Sequence, residues 1–194
     1  AARLPEAAPE RILAELQRLV RGAHADAAIA HLRRVALLHP WAAGGHPPGP
    51  ADADGLSAEE AATAVPLARL TALISDEGLI QLRASRSLRQ RCKRLRVWQS
   101  RIGPAPESLP EADRLRLHED LEEDLPALAL QVPMPEKRLW LHRWRDPEDP
   151  LFHQPSGDRL VINVACTGSA GHCFFDFGNS IFQLILADEA ADQG

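Results

Sequence analysis

Apolar residues fall at helical spacing over the first two-thirds of the chain and closer to alternation over the last third. Ile12, Leu13, Leu16, Leu19 and Val20 recur on one face of a helix, which the spacing predicts over 9–21 with Gly22 as its stop. Ile29, Leu32, Val35 and Leu38 predict a second helix over 26–38, closed ahead of Pro40. Gly44 to Gly55, with its Gly-Gly, Pro-Pro and Gly-Pro pairs, reads as a flexible connector. Ser57 and Glu60 have capping-box spacing and predict a helix to about residue 64, after which Pro66 restarts a turn or helix carrying Leu67, Leu70, Leu73 and Ile74. Ser75-Asp76 is the next cap. Leu79 to Gln99 reads as one helix with Leu82, Leu88, Cys92, Leu95 and Trp98 on one side. Ser108 and Glu111 form a second capping box, opening a helix that runs to about residue 125.

Near residue 135 the pattern changes. Leu139 to Trp144 alternates weakly, and a proline- and acid-rich loop follows over 146–155. Arg159 to Cys166 is the clearest strand, because Leu160, Ile162 and Val164 face one way. Residues 172–177 and 180–186 read as two more strands after tight turns, completing a meander. The expected fold class is therefore α+β: a helical N-terminal two-thirds packed on a small C-terminal antiparallel β-meander. The helical region would span 1–135, the β region 136–194, and the two would pack as one domain.

Charge sharpens this picture. Leu82 to Arg101 holds eight cations (Arg83, Arg86, Arg89, Arg91, Lys93, Arg94, Arg96, Arg101) and no acid. The chain has 22 Lys+Arg and 27 Asp+Glu, so the rest carries 14 cations against 27 acids, a net of -13. Such asymmetry calls for either an anionic partner or an acidic mate within the chain. The following helix supplies a candidate mate in Glu111, Asp113, Glu119, Asp120, Glu122, Glu123 and Asp124. If no such mate engages them, Arg83, Arg86, Arg89, Lys93, Arg94 and Arg96 form a nucleic-acid or anion-binding face, with Trp98 and Trp140 available for stacking.

Other chemistry is thinner. At 45% apolar residues a core is available, and no apolar run reaches membrane-spanning length. Three cysteines, Cys92, Cys166 and Cys173, do not make a secreted disulfide framework and point to a reducing, cytoplasmic setting. Cys166, Cys173, His172 and Asp176 could form a thiol–base pair or a metal site, but neither Cys-x-x-Cys nor His-x-x-x-His spacing is present here. Packing is the simpler role for these residues. The turn Gly168-Ser169-Ala170-Gly171 joins strand to strand, not strand to helix, and so lacks the setting of a phosphate cradle. His24 and His31 lie a heptad apart with no acidic ligand at metal spacing. Neither a metal nor a cofactor is expected.

The stretch Asp158 to Ile185 resembles the SMI1/KNR4 (SUKH) superfamily, chiefly at Gly168, Gly171, Phe175 and Asp176. There a strand, a glycine-containing turn, an aromatic strand with an Asp and a further strand follow N-terminal helices. Many members are intracellular immunity proteins that bind and neutralise a toxin. The resemblance implies a non-enzymatic binding protein, immunity-like, with a protein partner engaged through charged surface. The alternatives are a nucleic-acid-binding subunit using the helix over 82–101, and an enzyme using Cys166 or Cys173 with His172.

Overall fold

The computed structural model describes residues 7–103 and 105–149, together with three backbone segments near the C-terminus. The chain divides into two compact units, Ala1–Gln154 and Pro155–Gly194. The first is helical. Its helices are α1 (Pro9–Arg21), α2 (Ala25–Arg34), α3 (Ala58–Leu73), α4 (Asp76–Gln81), α5 (Arg86–Gln99), α6 (Glu111–Leu121), α7 (Leu125–Ala129) and α8 (Met134–Arg145). Its one extended pairing among the described residues is an isolated bridge, Ala42 to Ile74.

The α+β expectation is thus overturned. Among the described residues of the first unit, the core from Ile12 to Trp140 is built by the helices and the turns between them. Residues 139–144, read as weakly alternating, lie inside α8. There Lys137, Trp140 and Leu141 are buried and Trp144 is half-buried, which is the spacing of one helix face. In the second unit, taken by itself, β1 (Ala165–Cys166), β2 (His172–Phe177) and β3 (Ser180–Ile185) pair antiparallel in that order. The expected strand from Arg159 lies outside the described residues up to Ala165, as do the turns over 167–171 and 178–179.

Helix α3 is the hub, packed against α1, α5 and α7. Ser57 caps it as its sequence suggests: Ser57 Oγ accepts from Glu60 N at 3.2 Å and Glu60 Oε2 accepts from Ser57 N at 2.6 Å. The helix then runs straight through Pro66 instead of restarting there. An interior proline costs about 3 kcal/mol. Burial of Leu67, Leu70 and Leu73 contributes roughly 1.5–3 kcal/mol each and outweighs it. α3 is buried nearly all round from Ala64 onward, and that includes a charge. Arg69 donates to Pro48 O (3.0 Å), Val20 O (3.2 Å) and Asp26 Oδ1 (2.7 Å), so the guanidinium is buried with acceptors on every side.

Two helices end in a left-handed residue that is not glycine. After α2, Ala36 (φ 51) lets Leu37 N donate to Leu32 O at 3.1 Å and Ala36 N to Arg33 O at 3.0 Å. This ends α2 before the expected residue 38. After α4, Arg83 (φ 54) does the same, with Ala84 N on Leu79 O at 2.9 Å. The single helix expected over 79–99 is therefore broken at this point, and Ser85 caps α5 through Leu88 N at 3.2 Å. Ser108 lies ahead of α6, which begins at Glu111. Its hydroxyl donates to Ala105 O at 2.6 Å within a short 3-10 turn.

The glycine- and proline-rich segment over 44–56 is fastened at four carbonyls by cations of three helices. Arg33 of α2 reaches Gly45 O, Arg69 of α3 reaches Pro48 O, and Lys137 and Arg145 of α8 reach Asp52 O and Gly55 O. Burial lowers the pKa of Lys137, against the pull of Asp52 and Asp54. Arg145 also grips Glu60 through both carboxylate oxygens, at 2.9 and 2.6 Å, and this holds the Glu60 carboxyl below its ordinary value.

Two pairs of measurements check these points. A Cβ on Gly78 would sit 2.4 Å from Trp41 O. Gly78→Ala should therefore destabilise by about 1–3 kcal/mol in a urea titration, although Gly→Ala inside a helix ordinarily stabilises. Ala36→Gly should instead stabilise by about 1 kcal/mol. Because the Glu60 pKa is lowered on folding, its contribution is complete above the unfolded value and is lost as pH falls through the folded one. Glu60→Gln should thus cost about 1–2 kcal/mol at pH 7, and the gap to wild type should close in acid.

Candidate functional site

The basic segment begins at the left-handed turn before α5 and continues along that helix. Cys92, Leu95 and Trp98 are fully buried on its inner face, which fixes where the cations must point. Arg91, Arg94 and Arg101 point toward the acidic region that follows. Arg91 holds Asp124 with both nitrogens of its fork: Nε lies 3.1 and 3.0 Å from the two oxygens and Nη2 lies 2.5 Å from Oδ1. Its hydrogen bonds to this buried carboxylate raise the Arg91 pKa further. Arg94 donates to Asp120 O at 3.2 Å and lies 3.8 Å from its carboxylate, which also accepts from Trp98 Nε1 at 3.0 Å. Arg101 meets Asp113 at 3.2 Å and sits over the Trp98 ring, 5.6 Å from its centroid.

Two more cations find mates outside the acidic run. Arg96 turns inward, donating to Thr71 O at 3.0 Å and also to Ile74 O and the Asp76 carboxylate. It thereby closes the last carbonyls of α3 and ties them to the first turn of α4. Arg83 pairs with Glu10 at 2.7 Å on the surface. The Glu10 carboxyl is held below its ordinary value first by its backbone hydrogen bond and then by Arg83.

The six candidate residues therefore separate. Arg83, Arg94 and Arg96 are engaged within the fold. Arg86, Arg89 and Lys93 make no ion pair among the described residues. They lie at i, i+3 and i+7 of α5, which is one stripe of a helix, and the exposed Val97 continues it. Arg86 and Lys93 are exposed, whereas Arg89 is half-buried and its Nε has no acceptor among the described residues. Sequence reasoning missed Asp76 and Glu10 as mates, since both precede the basic segment, outside the acidic run that follows it, and only the fold brings them near.

Other candidates fare differently. Cys92 is buried and burial pushes its thiol pKa up, so it is a packing residue and a poor nucleophile. The register of β1 and β2 sets Cys166 opposite Cys173. The side chains of Cys166, His172, Cys173 and Asp176 lie outside the described residues. Among those that are described, no cluster of three or more Cys, His, Asp or Glu could hold a metal ion, and no helix is long and apolar enough to cross a membrane.

Removing Arg91 should expose the difference between the two classes of cation. Arg91→Ala leaves the buried Asp124 carboxylate unpaired and should cost about 1–3 kcal/mol in denaturant melts. Lys93→Ala should stay within about 0.5 kcal/mol of wild type. Equal costs for both would contradict the assignment.

No family model, no curated protein and no solved structure matches this chain.

Proposed function

We propose that the protein is a non-enzymatic binding protein that engages a protein partner through charged surface, with the α5 stripe of Arg86, Arg89 and Lys93 as its contact. One observation carries the reading: five of the eight cations between Leu82 and Arg101 (Arg83, Arg91, Arg94, Arg96, Arg101) are spent on carboxylates of the same chain. A face of eight free cations would suit a phosphate backbone. Neutralising eight phosphates of duplex DNA would give a salt slope of about -7, and three would give about -3. Three cations beside an exposed valine suit a small patch on a protein, where charge selects the partner and speeds encounter. An immunity-like role, with a toxin as the partner, is the form of this reading favoured by the resemblance over 158–185. A cytoplasmic location goes with this reading.

The test uses the whole chain and an Arg86→Glu/Lys93→Glu variant. Affinity capture from the native host should recover a specific protein with wild type. The variant should weaken that complex by about tenfold or more, with its thermal melt unchanged. Fluorescence anisotropy with single- and double-stranded oligonucleotides at low salt should show no binding. Tight nucleic-acid binding that falls steeply with salt and vanishes in the variant would replace this reading with the nucleic-acid one.

A further inference from the structure

We propose that the crevice between α1 and α2 is a docking groove for an acidic amphipathic helix of a protein partner. Its floor is aliphatic. Leu16 and Leu19 come from α1, and Leu32 and Leu37 from α2 and the turn after it. The second wall exists because Ala36 is left-handed: the chain doubles back there, and Leu37 N is held on Leu32 O at 3.1 Å. The cavity is about 440 Å³ and open along one side. From Ile12 to Leu19 the α1 wall is about 10 Å long, or two helical turns. An incoming helix with apolar anchors at i, i+3 or i+4, and i+7 matches that length.

Charge selects the occupant. Arg11 and Arg18 stand two turns apart on the rim, with Glu15 between them. Arg18 meets Glu15 at 3.3 Å with both side chains largely exposed, and Arg11 makes no ion pair among the described residues. Residues 7–39 hold five arginines (Arg11, Arg18, Arg21, Arg33, Arg34) and three acids (Glu10, Glu15, Asp26), a net of +2 in a chain of net -5. All three acids are already engaged, Glu10 with Arg83, Asp26 with Arg69 and Glu15 with Arg18 on the exposed rim. An acidic helix can place carboxylates on both rim arginines at once. A fatty acid carries one carboxylate and meets only one of them. A second copy of α1–α2 would bring like charge to the same rim.

The proposal rests on the reading of this chain as a protein-binding protein, but it uses helices other than α5. The probe is a labelled synthetic peptide about four turns long, with leucines along one face and glutamates on the other, and a matched peptide with lysines in place of the glutamates. The glutamate peptide should bind saturably in anisotropy and shift the methyl resonances of Leu16, Leu19, Leu32 and Leu37. Arg11→Glu/Arg18→Glu, which changes only exposed residues, should weaken it by about tenfold or more, and so should Leu37→Ser. The lysine peptide should not bind. Arg86→Glu/Lys93→Glu should leave the affinity unchanged, so failure of the α5 contact and failure of the groove give different results. The proposal is overturned if both peptides bind alike, if the rim variant binds as wild type does, if a fatty acid displaces the glutamate peptide, or if the groove instead mediates a dimer that Arg18→Glu dissolves.

Discussion

A guanidinium buried in the middle of the central helix decides how its neighbours must lie. Arg69 is placed by α3 where water cannot solvate it, so the end of α1, the start of α2 and the Gly/Pro-rich segment must each bring it an oxygen. The same logic recurs at Arg96, which collects the terminal carbonyls of α3 and the Asp76 carboxylate. Leucine packing supplies the bulk of the stabilisation. It does not choose among similar packings, whereas a buried cation with fixed donor directions does, because a misplaced carbonyl would leave it unpaired.

That division of labour governs what the charged surface has left to offer. In an acidic chain, a run of cations looks like a site for an external anion. Here most of the run is consumed in joining α5 and the turns that flank it to α1, α4, α6 and the turn before α7. Pairing also turns those side chains away from a common outward face. The residual stripe is short, and a short stripe discriminates between partners better than it grips a polyanion.

Local chemistry was legible in the sequence, and tertiary chemistry was not. The Ser57–Glu60 capping box depends only on residues three apart, and it forms as its spacing suggests. The acidic mates Asp113, Asp120 and Asp124 could be anticipated because their helix follows closely. Glu10 and Asp76 could not, since nothing in the spacing brings them to Arg83 and Arg96. The break between α4 and α5 escaped notice because Arg83 occupies a left-handed position usually filled by glycine. The fold class was misjudged at α8 for a related reason. Its inner face includes Lys137, a charged residue that hid the helical period of Trp140, Leu141 and Trp144. The stretch that suggested a resemblance, 158–185, falls in the second unit.

The central claim, that most of the basic segment is paired within the chain while Arg86, Arg89 and Lys93 make no ion pair among the described residues, has a direct test in arginine-specific dicarbonyl labelling of the native protein, read by peptide mass spectrometry. Among the arginines of the basic segment, Arg86 should label fastest. Arg69 and Arg96 should stay protected until denaturant unfolds the chain. Labelling of Arg96 or Arg69 at the rate of Arg86 in the native protein would contradict the account.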